Sequence, residues 1–132
     1  ISDSSKRLGD LSKQVLTIRK DLSQLERALG IRDPERHIVS SLAFSSERIS
    51  SYVTHARDVL FLYQSMSSAR DRENVRKDVR EMLKSLVEFS QLEISVANDA
   101  IAITDKPGIV STATELRSVT RQITDTLNGV RL

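Results

Sequence analysis

The sequence predicts an all-α protein that folds as an up-down-up-down antiparallel four-helix bundle. Apolar residues recur at alternating spacings of three and four along four long segments, as on one face of a helix. Only four glycines and two prolines interrupt the 132 residues, and the breaks between segments are short. Short connections make neighbouring helices antiparallel. We expect one domain, residues 1–132, with helices at about 4–29, 34–66, 69–104 and 112–130.

The first helix is predicted from a single apolar stripe that stops at Gly30. Glycine can adopt the left-handed conformation that closes a helix, and Ile31 would then fold back on the last turn. The stripe consists of Leu8, Leu11, Val15, Ile18, Leu22, Leu25 and Leu29.

The second helix begins at Asp33 and Pro34, which suit the N-cap and the first helical position respectively. Its stripe ends near Met66, and residues 67–69 form a short link to the next helix. The stripe comprises Ile38, Leu42, Ser45, Ile49, Tyr52, Ala56, Val59, Tyr63 and Met66.

The third helix carries two apolar rows, so its apolar arc is wider than that of an ordinary surface helix. Two explanations stay open: deep burial of the C-terminal part, or a homodimer interface in which the second row faces a symmetry mate. The first row is Leu86, Phe89, Val96, Ala100 and Ile103, and the second is Leu83, Val87, Ile94, Ala97 and Ile101.

The fourth helix follows a break at residues 105–108, and Thr112 with Glu115 forms a capping-box pattern at its start. Its apolar rhythm continues almost to the last residue, so we expect the chain to continue beyond Leu132. Its stripe is Ala113, Leu116, Thr120, Ile123, Leu127 and Val130.

Composition argues against several classes of protein. There is no cysteine. The 20 basic and 18 acidic residues are interleaved, and aromatic residues make up only 4%, which is unlike a nucleic-acid-binding protein. Neither His37 nor His55 has a glutamate three residues before it, and about 27 Å of helix separates the two, so no metal site is expected. With no nucleophile or phosphate-loop motif, we expect a non-enzyme without a cofactor.

A cluster of polar residues in the second helix is the one candidate binding site. Ser45 lies on the core stripe, and Arg48, Tyr52 and His55 follow along the helix. Arginine offers a planar fork of donors, so this set could bind a small anion. The alternative is that the serines allow close helix packing and Arg48 lies on the surface.

The same cluster resembles the conserved helix of bacterial extracytoplasmic four-helix sensor domains of the nitrate-sensor and type IV pilus chemotaxis-transducer kind. The likeness covers roughly residues 40–127 and includes the Pro107–Gly108 break, while Val53 stands where the family has a second arginine. The matching positions are Ser45, Ser46, Arg48, Ile49, Ser51 and Tyr52.

This resemblance implies the extracytoplasmic, periplasmic domain of a bacterial histidine kinase or chemotaxis transducer. Such a domain would bind a small anion or a periplasmic partner protein and would signal by a small helix displacement. The homodimer is expected separately, from the second apolar row of the third helix. It would meet the membrane only through flanking segments. The alternative is a helical scaffold or adaptor module, possible also in the cytoplasm, that presents the broad apolar face of the third helix to a protein partner.

Overall fold

In a computed structural model that describes residues 1–132, the chain forms four helices and no strand, which confirms the all-α prediction. Helix α1 packs against α2 and α4, and α3 also packs against α2 and α4. Helices α1 and α3 do not touch, so the four helices form a ring. The helices are α1 Ser2–Ala28, α2 Glu35–Ser65, α3 Ala69–Ile103 and α4 Pro107–Asn128.

One continuous core lies inside this ring, and each helix contributes its apolar stripe to it. Because residues three and four apart share one face of a helix, most residues of these stripes turn inward and are removed from water; Phe89 and Ile103 of α3 are exceptions. The largest fully buried side chains are Leu8, Leu11, Leu22, Leu42, Ile49, Leu60, Ile109, Leu116 and Ile123.

The ends of the helices follow the sequence in part. The Asp33 carboxylate accepts a hydrogen bond from the backbone N–H of Glu35 at 3.0 Å, as an N-cap side chain does. The Ser68 hydroxyl accepts one from the N–H of Asp71 at 3.4 Å and caps α3. These bonds set where α2 and α3 begin.

The end of α1 differs from the prediction. Gly30 does not adopt a left-handed conformation, because no residue in the chain has a positive φ. The helix ends instead at Ala28, and the backbone of Leu29 after it is extended. Ile31 is 88% exposed rather than folded back. Extended backbone needs no glycine, so Gly30 is not required as a cap here.

The start of α4 also differs, since the helix begins at Pro107 and not at residue 112. A proline suits the first turn because its missing N–H has no partner there in any case. The Thr112 hydroxyl donates to the carbonyl of Gly108 at 3.0 Å, within the helix, so the capping-box interpretation of Thr112 was wrong.

Candidate functional site

The polar cluster of α2 is organised around an acidic residue of α3. Arg48 binds the Glu93 carboxylate in a bidentate manner: Nε lies 3.0 Å from both Oε1 and Oε2, and Nη2 lies 2.8 Å from Oε1. The Glu93 side chain is only 5% exposed, whereas that of Arg48 is 46% exposed. A buried carboxylate is therefore neutralised by an arginine that reaches the surface.

Tyr52 completes this arrangement from one turn further along α2. Its hydroxyl donates to Oε2 of Glu93 at 3.3 Å, and its ring stacks on Phe89 with centroids 5.6 Å apart. Burial raises the pKa of Tyr52, and the nearby Glu93 charge raises it further. The hydrogen bonds to Glu93 raise the pKa of Arg48, so the guanidinium stays charged. We call Arg48, Tyr52, Phe89 and Glu93 the Arg48 cluster.

The other two predicted site residues lie elsewhere. Ser45 is fully buried in the core, and its hydroxyl has no hydrogen-bond partner. His55 is exposed, and its Nε2 lies 3.2 Å from the Sδ of Met82 on α3. The structure thus brings Arg48 and Tyr52 together on one carboxylate, but neither Ser45 nor His55 bonds to that carboxylate.

Glu93 is the residue that the sequence analysis missed. It lies on the buried side of α3, four residues after Phe89 and four before Ala97. An acidic residue inside an apolar row is the available signal, because a carboxylate is seldom buried without a partner. The partner itself could not be found from spacing, since Arg48 is 45 residues away in the chain.

The second apolar row of α3 proves to be largely internal to the single chain. Leu83, Val87 and Ala97 are buried, while Ile94 and Ile101 are half-buried. The homodimer interface predicted for these five residues stays a prediction, but three of them already have neighbours within the chain. Their burial agrees with the alternative that α3 is deeply embedded.

The apolar surface that α3 leaves exposed belongs instead to the other row. Phe89, Leu92 and Ile103 are 46%, 62% and 65% exposed. Phe44 of α2 is 60% exposed. It lies three residues after Ser41 and four before Arg48, and both of these residues face α3, so Phe44 lies on the same side of α2. A shallow pocket of about 130 Å³ between the helices is lined by Ile38, Ser41, Val96, Asp99, Ala100 and Ile103. We call Phe44, Phe89, Leu92, Val96 and Ile103 the α2–α3 surface.

Two larger open clefts lie elsewhere on the protein, and the one between α1 and α2 is lined entirely by polar residues. The cleft between α1 and α2, of about 500 Å³, contains His55 and the ion pair Arg19–Glu47. The cleft between α1 and α4, of about 440 Å³, contains Gln14 and Gln122. No group of three or more histidine, aspartate and glutamate side chains is placed to hold a metal ion. No helix combines the length and the apolar character needed to cross a bilayer.

Comparison with known proteins assigns this chain to no family. No family model, no curated protein and no solved structure matches this chain.

Proposed function

We propose that this chain is a non-catalytic helical interaction domain that presents the α2–α3 surface to another protein. The exposure of Phe44 on α2 and of Leu92 and Ile103 on α3 carries the proposal, because large apolar side chains exposed along one surface mark a binding site. The Arg48 cluster supports it by tying α2 to α3 beneath this surface, which holds the two helices in a fixed relative position.

We further propose that the four helices alternate in direction, as an up-down-up-down antiparallel bundle. Polar contacts between opposite ends of the helices support this. Gln64 near the end of α2 donates to Ser2 at the start of α1, and Thr104 after α3 donates to Glu35 at the start of α2. The distances are 3.2 Å and 2.6 Å. Arg7 of α1 likewise donates to Gln122 of α4 at 2.6 Å.

A photo-cross-linking amino acid placed at Leu92 in the full-length protein, within its own cell, tests the interaction function. We expect a cross-linked product that contains a different protein, identified by mass spectrometry, and no such product from the same probe at Leu16. Leu16 is a matched control because it is also an exposed leucine, 46% accessible, but lies on α1. A product of two copies of this chain, or no product at Leu92, would overturn the proposal.

Extracytoplasmic sensing is a second candidate, supported by one feature of Arg48. The Nη1 of this arginine makes no hydrogen bond within the chain, and the side chain is half-exposed, so one edge of the guanidinium is free to meet an anion. Glu93 competes for the same positive charge, which lowers the affinity that an anion can gain from it. A bound ligand would signal by favouring one helix packing over another.

Thermal melts with nitrate, acetate or an amino acid test this second candidate. Binding should raise the melting temperature at ligand concentrations above the dissociation constant. The rise should be absent in Arg48→Ala and present in Arg19→Ala, which removes an arginine of similar exposure from the α1–α2 side. No rise with any of the three anions, or an equal rise in both variants, would exclude Arg48 as an anion receptor for them.

A further inference from the structure

The partner of the α2–α3 surface can be specified from the charges that border it. Six acidic residues of α3 are exposed: Asp71, Glu73, Asp78, Glu81, Glu88 and Asp99. Glu88 and Asp99 stand four residues before Leu92 and Ile103, so each lies next to one of these apolar side chains on the helix surface. Asp99 also lines the shallow pocket between α2 and α3. The apolar surface is therefore bordered by negative charge.

The part of α3 that carries the apolar surface, residues 85–103, contains no lysine or arginine. Arg48 is the arginine next to the surface, and it is bound to Glu93. Arg80 and Lys84 of α3 line a different pocket together with Leu127 of α4, so they lie on the α4 side of the helix. Hence Glu88 and Asp99 lie beside the apolar surface, whereas Arg80 and Lys84 lie away from it.

The shape of the surface suits another helix. Phe89, Val96 and Ile103 follow one another at intervals of seven residues, which is the repeat by which one helix packs along another. Ile38 and Ser41 of α2 form the opposite side of the pocket at Val96 and Ile103. Phe44 follows Ser41 by three residues on the same helix. Amphipathic helices bind to such grooves through apolar side chains spaced by three, four and seven residues.

We propose that the α2–α3 surface binds a basic amphipathic helix of a partner protein, with its apolar stripe against Phe44, Phe89 and Leu92 and its lysines or arginines beside Glu88 and Asp99. This inference rests on the proposed interaction function. Charge complementarity favours this occupant, because opposite charges around an apolar contact promote association. A second copy that offered the same surface would place acidic residues against acidic residues, which opposes binding.

The test uses two labelled synthetic helical peptides of about 18 residues, or about five turns. Both carry leucine on one face; one carries lysine elsewhere and the other glutamate. Fluorescence anisotropy with the full chain should show binding of the lysine peptide and at least tenfold weaker binding of the glutamate peptide. Affinity for the lysine peptide should fall as salt is raised, because exposed charges are screened. Equal affinity for the two peptides would overturn the charge assignment.

Variants locate the site. Phe44→Ser should weaken binding of the lysine peptide about tenfold or more, as is typical when a buried aromatic contact is truncated. Phe61→Ser should leave it unchanged, because Phe61 is an equally exposed phenylalanine of α2 that lines a pocket on the other side with Ser5 of α1. Melting curves would confirm that both variants are folded. Equal loss in the two, or loss in neither, would overturn the location.

Charge reversal separates specific recognition from general adhesion of a cationic peptide. Glu88→Lys combined with Asp99→Lys should reverse the preference, so that the glutamate peptide binds better than the lysine peptide. An unchanged preference would show that the acidic border does not select the partner.

The two proposals can fail separately. If a partner cross-links at Leu92 but binding of the lysine peptide does not depend on Phe44 or Glu88, the interaction function stands and the basic-helix inference is wrong. If sedimentation instead reveals a dimer that Phe44→Ser dissociates, a second copy occupies the surface and both proposals fail.

Discussion

Removing the positive partner of Glu93 is the most informative perturbation of the Arg48 cluster. In Arg48→Met the aliphatic part of the side chain is largely kept, but the Glu93 carboxylate loses its bidentate partner and retains the hydrogen bond from Tyr52 at 3.3 Å. The carboxylate is 5% exposed, so water cannot easily replace the guanidinium. The variant should therefore be less stable.

The size of the loss follows from the geometry. Truncating one partner of a fully buried ion pair costs about 3–5 kcal/mol. Because Arg48 is itself 46% exposed, solvent already weakens the pair, and we expect about 2 kcal/mol. For a domain of this length, that is a fall in melting temperature of roughly 7 °C. Equilibrium urea unfolding would measure the free energy directly.

Two further variants make the experiment decisive. Arg19→Met removes half of the Arg19–Glu47 pair, whose side chains are 43% and 50% exposed, so it should cost less than about 1 kcal/mol. Combining Arg48→Met with Glu93→Leu removes both buried charges and should recover most of the loss. If Arg48→Met costs no more than Arg19→Met, or if the double variant is no better than the single one, the reasoning is refuted.

Two other predictions concern Tyr52 and Ser45 of α2. In a Tyr63→Phe background Tyr52 is the one remaining tyrosine, and alkaline absorbance titration should place its midpoint above the ordinary tyrosine pKa of about 10. The folded state holds the Tyr52 hydroxyl proton more tightly than the unfolded state does. The contribution of Tyr52 to stability is therefore present below about pH 10 and is lost as pH rises through its folded pKa. A titration midpoint at the ordinary tyrosine value would contradict this prediction. Ser45→Ala should stabilise the protein by about 1 kcal/mol in urea unfolding, because the buried Ser45 hydroxyl has no partner. Ser46→Ala should show no such gain, since the Ser46 hydroxyl donates to the carbonyl of Ala43. A destabilised Ser45→Ala would instead show that the Ser45 hydroxyl is satisfied by water.

The positions of the helices were predictable because their signals are local. The Asp33–Pro34 pair sets the start of α2, and in α1, α2 and α4 the apolar spacing identified the buried face. The predictions failed where two local signals competed. At Pro107 the chain could break or begin a helix, and the Thr112 and Glu115 pattern favoured a later start than the real one. At Gly30 the residue type allowed a left-handed cap that the backbone did not use.

The α2–α3 surface was less accessible to prediction, and α3 explains why. Both of its rows are apolar, so spacing alone could not decide which would face the core and which would face solvent. The sequence analysis placed Phe89 and Ile103 on the core row, and both are substantially exposed, whereas Leu83 and Ala97 of the proposed interface are buried. The choice between the rows depends on where α2 and α4 lie around α3.

The sequence by itself determined the fold class, the number of helices and most of the residues that form the core, because helix periodicity and capping act over a few neighbouring residues. Only the tertiary structure decided that Arg48 is paired with Glu93 and that Phe44, Leu92 and Ile103 stay exposed. These relationships join residues from different helices, and their energies depend on distance and burial, which no local pattern of residues contains.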